Sequence, residues 1–309
     1  MPDTTQPLVP RRRCSAPPSL CRPCCRRPRG RSAAAPARGD RAPAGGALHA
    51  GPGDGPPWAI QLARPAAPPP AAGYPLLTLL DGQRSFPLAW HAREAAGASG
   101  VALLGIDHPA APQRDLDRRF FDLTPPTAAE SFGPRGDTPP PTGGRERFLD
   151  FLETVLRPAV AARLPLDPAR QTLFGHSLGG LFGLHVLFTR PALFGAYALA
   201  DPSIWWNRRS VLDEQAAFLG GVRAAGGRLA RPLAVLIEVA GATRPGSYRA
   251  AAGDGPGGLE TARALAALPG LRVGFRRVEG ETHGSMVPAA VADALALASG
   301  RMPAGSPPT

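Results

Sequence analysis

The chain has 309 residues, enough for one large domain or two small ones, and its 43% hydrophobic content is ordinary for a globular protein. Its formal charge of +11 is uneven, because residues 1–50 hold 10 arginines and 2 aspartates, net +8, which leaves +3 for the rest. We therefore expect no nucleic-acid partner. No stretch approaches the roughly 18 apolar residues of a membrane span, so we expect no membrane partner either.

Residues 1–55 are predicted to be a disordered leader rich in arginine, proline and alanine. All four cysteines lie in this leader: Cys14, Cys21, Cys24 and Cys25. They lack a second ligand pair at zinc-site spacing and are interpreted as incidental thiols. Since the leader has no apolar run of signal-peptide type, the predicted location is cytoplasmic, or periplasmic if translation starts elsewhere. Residues 56–300 would then form the folded domain and residues 301–309 a flexible tail.

Apolar segments of strand length follow this leader and alternate with helix-like stretches. The predicted strands are Trp58–Pro65, Tyr74–Leu80, Ser99–Ile106, Arg170–Gly175, Phe194–Ala200, Pro232–Ala240 and Gly270–Val278. The clearest helical stretch has one predicted apolar face, formed by Phe148, Phe151, Leu152, Val155 and Leu156. This alternation predicts an α/β fold with a mostly parallel central sheet and helices on both faces. Residues 109–144 are expected to cross the sheet edge as a long loop.

The segment Leu173–Gly180, LFGHSLGG, matches the Gly-x-Ser-x-Gly pattern of a nucleophile elbow. It follows a short apolar strand and opens a helix, which is the setting that such a turn requires. Side chains at Gly175 and Gly179 are expected to collide with the neighbouring strand and helix. We therefore predict Ser177 as a nucleophile and the amide of Leu178, at the helix N-terminus, as an oxyanion donor.

A serine nucleophile needs a base, and this fold orders the residues as serine, acid and histidine. Two histidines follow Ser177 in the chain. His185 lies on the elbow helix, facing away from the reaction, and is interpreted as a packed or surface side chain. His283 follows the last predicted strand and precedes the last predicted helix, so it is the predicted general base.

The acid is expected after the penultimate strand, but that region offers no clear candidate. Glu238 lies within the strand, Asp254 lies well beyond it, and Glu260 opens a helix. A Ser-His dyad, with the imidazole oriented by a backbone carbonyl, therefore stays open.

The loop after strand Tyr74–Leu80 is the expected source of a second oxyanion donor. It offers the amides of Gly82 and Gln83, and Arg84 beside them is a candidate substrate contact. No His-Glu-x-x-His or dinucleotide fingerprint occurs, so no metal and no cofactor are predicted.

Several of these segments occur together in one known family. YPLLTLLDGQRSF, LFGHSLGGLFGLHVLFTRPALFGAYALADPSIWW and VEGETHGSMVP resemble the bacterial ferric-siderophore esterases of the enterobactin and salmochelin type, within the esterase D superfamily. The resemblance covers roughly residues 57–300. It implies an α/β-hydrolase fold with no large lid domain, hydrolysis of esters in an iron chelate, and reaction through Ser177 and His283. Some members of the family work as a Ser-His dyad.

The chain departs from this family just before its paired tryptophans. The family has Ser-Pro-Ser there, whereas this chain has Asp201-Pro202-Ser203. We expect Asp201 at the substrate wall, where its carboxylate would repel a catecholate. A candidate substrate cluster follows, formed by Trp205, Trp206, Arg208 and Arg209. These side chains would stack on and pair with catechol rings, or else pack at a helix entry with solvated arginines.

The first functional hypothesis is a serine hydrolase that cleaves a small-molecule ester, most specifically a siderophore-type trilactone. General carboxylesterase, thioesterase and acyltransferase activities on small acyl substrates form the alternative within the same class. A non-catalytic ligand-binding homologue is the alternative of another class. The sequence gives no indication of the oligomeric state.

Overall fold

The computed structural model describes residues 58–107, 116–132, 139–242 and 257–303, together with the backbone of residues 48–50. The strands are β1 (Leu48–Ala50), β2 (Trp58–Ala63), β3 (Tyr74–Leu80), β4 (Ala102–Asp107), β5 (Leu166–His176), β6 (Ala196–Ala200), β7 (Leu233–Ala240) and β8 (Leu271–Val278). All seven predicted strands are present. The additional strand, β1, lies inside the predicted leader and pairs with β2.

Helices connect most of these strands. They are α1 (Gly82–Ala92), α2 (Leu116–Leu123), α3 (Arg145–Phe151), α4 (Arg157–Ala161), α5 (Leu178–Thr189), α6 (Trp206–Arg209), α7 (Val211–Ala224), α8 (Gly258–Ala266) and α9 (Val287–Ala298). A π-helical turn, Leu152–Leu156, joins α3 to α4, and Ala129–Phe132 form a 3₁₀ turn. No described helix has the length and apolar character needed to cross a bilayer.

The strands form one sheet in the order β1-β2-β4-β3-β5-β6-β7-β8. β1 and β2 are antiparallel to their neighbours, and the strands from β4 to β8 are parallel. β5 lies near the middle of the sheet, directly beside β6. Because the carboxyl ends of parallel strands share one edge, the turns after β5, β6 and β8 emerge at the same side of the domain.

Two apolar cores cover the two faces of the sheet, as the sequence predicted. α1 and α9 pack on one face, whereas α3, α5 and α7 pack on the other. His185, on α5, is buried, and its Nδ1 lies 2.9 Å from Oε2 of Glu214. It is therefore a packed histidine remote from the elbow end of its helix.

The π-helical turn explains one difference from the predicted apolar face. Phe148, Phe151, Leu152 and Leu156 are buried, but Val155 is 45% exposed. A π turn has more residues per turn than an α-helix, so it rotates the residues that follow out of the 3.6-residue pattern. Val155 is turned towards solvent by this shift.

Candidate active site

Ser177 occupies the sharp turn between β5 and α5. Its backbone has φ 61° and ψ −117°, a strained conformation for a residue with a side chain. The amide of Ser177 donates a hydrogen bond of 3.0 Å to the carbonyl of Ala200, the last residue of β6. The turn is thus held against the neighbouring strand and presents the hydroxyl at the carboxyl edge of the sheet.

Glycines allow two close backbone approaches around this turn. A Cβ on Gly175 would lie 2.2 Å from the carbonyl oxygen of Gly179. A Cβ on Gly180 would lie 2.9 Å from Cα of Pro202, in the turn after β6. At Gly179 the nearest atom, Cβ of Leu80, would be 3.5 Å away, which is ordinary contact. The predicted collision at Gly179 was therefore wrong, and Gly180 is the residue that admits the neighbouring turn.

His283 lies in the loop between β8 and α9, where the sequence places a general base. Its Nε2 is 2.9 Å from Oγ of Ser177, within hydrogen-bond reach of the hydroxyl proton. The imidazole side chain is 46% exposed, so one side of the pair is open to an incoming molecule. The structure thus brings together the predicted nucleophile and the predicted base.

Asp201 completes the arrangement from the turn directly after β6. Its Oδ2 lies 2.7 Å from Nδ1 of His283, and the residue is only 6% exposed. Oδ1 accepts a 3.4 Å hydrogen bond from the amide of Ala240, and the backbone amide of Asp201 donates to the carbonyl of Glu238 at 2.7 Å. Serine, acid and histidine therefore form a connected relay in the chain order of an α/β-hydrolase triad.

The position of Asp201 corrects two expectations. Its carboxylate faces the imidazole rather than the substrate wall, so the predicted repulsion of a catecholate has no basis in the described site. The acid also follows β6 instead of the penultimate strand, β7. The sequence shows only that Asp201 directly follows a predicted strand, and the order of the sheet is needed to place that strand beside the elbow strand.

The three acids proposed from the sequence are not part of the relay. Glu238 is fully buried in β7, 3.8 Å from Arg276, and burial, with the nearby Asp293 carboxylate, raises its pKa to about 8. The Glu260 carboxylate accepts the amide of Gly257 at 2.9 Å, which lowers its pKa and caps α8. Asp254 lies outside the described residues.

His176 and Arg84 hold the loop that carries the base. Nε2 of His176 donates a 2.7 Å hydrogen bond to the carbonyl of His283, and the Arg84 guanidinium donates to the carbonyl of Gly284 at 2.5 Å. Burial is the main cause, and the proximity of His283 the second, that lower the pKa of His176 to about 4. His176 is therefore neutral near pH 7, and Arg84, predicted as a substrate contact, also has a structural bond to the base loop.

The lowered pKa of His176 predicts a pH-dependent stability. Because the unfolded histidine titrates near 6.5 and the folded one near 4, the unfolded state binds more protons between these values. The His176 contribution to the free energy of unfolding should be complete above pH 6.5 and fall by about 3 kcal/mol as the pH drops to 4. Urea unfolding of wild type and His176→Gln across this range measures it. The glutamine variant should show a shallower decline, and identical declines would contradict the assignment.

The oxyanion donors are only partly as predicted. Leu178 opens α5, where the first amides have no carbonyl partner within the helix, so its N–H remains a suitable donor. The amide of Gln83 instead donates to the Asp107 carboxylate at 2.7 Å, which corrects its proposed role. Gly82 opens α1, and a Cβ there would lie 2.8 Å from the amide nitrogen of Ile106.

A cavity of about 150 Å³ adjoins Ser177. Its polar lining consists of Asp81, Arg84, Ser85, Arg119 and His176, and its apolar lining of Leu80, Phe174 and Val287. Asp81 and Arg119 form a bidentate ion pair with distances of 2.5 and 2.8 Å. The cavity can therefore take a polar part of a small molecule beside the nucleophile.

The predicted aromatic and cationic cluster does not act as one surface. Trp206 is buried, donates from Nε1 to Oγ1 of Thr127 at 2.9 Å, and contacts the ring of Phe132. Trp205 is partly buried against Trp206, with ring centroids 5.6 Å apart, while Arg208 is exposed at φ 55°. Trp206 is thus a packing residue, and the helix-entry interpretation applies to it.

Residues 56–225 match the model of the Esterase family, described as "Putative esterase". The chain is 44% identical over 152 residues to the siderophore triacetylfusarinine C esterase of Aspergillus fumigatus, covering 47% of this chain and 49% of that protein. It is 33% identical over 248 residues to the ferri-bacillibactin esterase BesA of Bacillus subtilis, covering 77% and 83%. The first alignment thus spans about half of that relative's length.

The fold is also found in solved structures. The BES protein from Bacillus cereus superposes with a TM-score of 0.68 at 30% identity, covering 78% of this chain and 90% of that one. The predicted α/β-hydrolase fold is confirmed by this likeness together with the parallel sheet. Sequence, architecture and the elbow turn agree, and the chain belongs to the Esterase family, with the fold of the siderophore esterases that it resembles.

Proposed function

We propose that this protein is a serine hydrolase that cleaves carboxylic ester bonds of a siderophore. The observation that carries the proposal is the connected relay from Ser177 through His283 to the buried carboxylate of Asp201. A serine hydroxyl is a weak nucleophile, and this arrangement is the one that removes its proton during attack. The proposed place of reaction is in the cytoplasm.

The geometry supports an acyl-enzyme mechanism. Oγ of Ser177 attacks the ester carbonyl carbon while its proton passes to Nε2 of His283. The carboxylate of Asp201 stabilises the resulting imidazolium, and the amide of Leu178 is placed to donate to the oxyanion. His283 then protonates the departing alcohol. A water molecule, activated by the same imidazole, releases the acid and restores Ser177.

Two observations bear on the alternative hypotheses. The hypothesis of a non-catalytic homologue depended on a missing acid, and Asp201 supplies a carboxylate 2.7 Å from Nδ1 of His283. For the substrate, one relative named as a siderophore triacetylfusarinine C esterase matches 47% of the chain, and another named as a ferri-bacillibactin esterase matches 77% of it. This favours siderophore esters over the simple acyl substrates of a general carboxylesterase, thioesterase or acyltransferase.

A direct comparison of substrates tests the proposal. Enterobactin and triacetylfusarinine C, each with and without iron, are incubated with wild type and with Ser177→Ala, and the products are separated by liquid chromatography and identified by mass. We expect wild type to open at least one of them, adding one water for each ester cleaved, and the variant to leave it intact. If wild type hydrolyses p-nitrophenyl acetate but leaves all four siderophore forms intact, the siderophore assignment is contradicted and a general carboxylesterase is favoured.

A further inference from the structure

Ser203 lies beside the nucleophile but outside the relay. Its Oγ is 3.3 Å from Oγ of Ser177, and the residue is 2% exposed. The amide of Ser203 donates to the carbonyl of Ser177 at 3.1 Å, and the amide of Trp206 donates to the carbonyl of Ser203 at 3.0 Å. Backbone bonds on both sides therefore fix this second hydroxyl next to the reacting oxygen.

The protons of the relay determine which serine donates. Nδ1 of His283 donates its proton to the Asp201 carboxylate, so Nε2 of the neutral ring carries a lone pair. Ser177 must then donate its single proton to Nε2. It has no second proton for Ser203, and the hydroxyl of Ser203 is consequently the donor to Oγ of Ser177.

We propose that Ser203 is a further catalytic residue, whose hydroxyl donates a hydrogen bond to Oγ of Ser177 as that oxygen gains negative charge. This role rests on the proposed function, because it requires Ser177 to be the nucleophile. In acylation the O–H bond of Ser177 breaks, its proton moves to Nε2 of His283, and an Oγ–C bond forms. The ester C–O bond then breaks, and His283 passes this proton to the departing alcohol. In deacylation a water molecule gives one proton to His283 and its hydroxyl to the acyl carbon, the Oγ–C bond breaks, and His283 returns a proton to Oγ of Ser177. A hydrogen bond to an ionised oxygen is stronger than one to a neutral oxygen, so the contact favours both transition states.

One turn of the chain supplies both supporting groups. Asp201 and Ser203 flank Pro202 in this turn. The turn reaches Ser177 only because Gly180 has no side chain, since a Cβ on Gly180 would lie 2.9 Å from Cα of Pro202. Asp201 orients the base from one end of the turn, and Ser203 contacts the nucleophile from the other. The last glycine of LFGHSLGG, Gly180, thereby serves the acid and the hydroxyl donor together.

The test is the steady-state hydrolysis of p-nitrophenyl acetate by Ser203→Ala. We expect kcat to fall about 10- to 100-fold, the loss of one hydrogen bond to a charged acceptor, with KM and the melting temperature unchanged. Ser299→Ala is the matched control, since it removes a serine hydroxyl at the end of α9 that donates to the carbonyl of Ala296 and accepts a 3.3 Å hydrogen bond from Arg301. That control should retain the wild-type kcat.

A double-mutant cycle separates this role from a structural one. In a His283→Ala background no imidazole takes the proton of Ser177, so adding Ser203→Ala should cost less than about twofold. An equal loss in both backgrounds, or a wild-type kcat in Ser203→Ala, would overturn the proposal. If Ser203→Ala does not fold, Ser203→Cys replaces it, because cysteine keeps a similar side chain with a weaker donor. A reduced kcat of this variant at unchanged KM supports the role of Ser203, and a wild-type kcat overturns it. Equal rates for wild type and Ser177→Ala would contradict the proposed function instead.

Discussion

Replacing Ser177 with alanine is expected to lower kcat/KM for an ester substrate by about 10⁵-fold or more. The substitution removes the oxygen that forms the acyl-enzyme, and the remaining groups bind the substrate without a nucleophile. Alanine keeps the Cβ of serine, so the turn at φ 61° should be retained. Initial rates with p-nitrophenyl acetate and with the siderophore cleaved by wild type measure the loss.

The control for this variant is Ser131→Ala, a change of the same kind at an exposed serine in the 3₁₀ turn. It should leave kcat/KM and the circular dichroism spectrum at wild-type values. If Ser177→Ala keeps more than about a tenth of the wild-type rate with a normal spectrum, Ser177 is not the nucleophile.

Replacing Asp201 with asparagine is expected to lower kcat by about 10³- to 10⁴-fold. If the side-chain amide nitrogen of the asparagine faces His283, Nδ1 of the imidazole becomes a hydrogen-bond acceptor. The ring proton then moves to Nε2, where it points at Ser177. The ring then has no lone pair for the serine proton. Asparagine suits the backbone at φ 42° as well as aspartate does, so the turn should be preserved. The measurement is kcat across pH 6 to 9.

Asp213→Asn provides the control for this charge change, because Asp213 is exposed in the first turn of α7. Its kcat should match wild type. A loss of less than about tenfold in Asp201→Asn would show that the imidazole is oriented without the carboxylate. The protein would then work as the Ser-His dyad that the family resemblance allowed.

Much of the architecture was predictable because it depends on local patterns. Continuous apolar runs gave the strands, and β3 coincides with the predicted segment Tyr74–Leu80. The helix α1 was missed, since Gly82 opens it and Pro87 lies inside it, and both residues normally argue against a helix. The π turn also has no sequence signature, so the exposure of Val155 could not be foreseen.

The nucleophile and base were predictable from chain order, whereas the acid was not. Ser177 and His283 each follow a recognisable strand, but the acid depends on which carboxyl end lies within reach of the imidazole. That is a property of the assembled sheet, in which β6 separates β5 from β7. The roles of Gly180 and Trp206 depend in the same way on tertiary contacts, with Pro202 and Thr127 respectively.

Covalent labelling tests the central claim most directly, that Ser177 is a nucleophile activated by His283. Diisopropyl fluorophosphate should transfer its phosphoryl group to Oγ of Ser177 with loss of fluoride, and the serine proton should pass to His283. Peptide mapping by mass spectrometry is expected to find one adduct, on the peptide containing Ser177, absent from Ser177→Ala and formed much more slowly in His283→Ala. An unmodified Ser177 in folded wild-type protein, or an equal labelling rate in His283→Ala, would contradict the account.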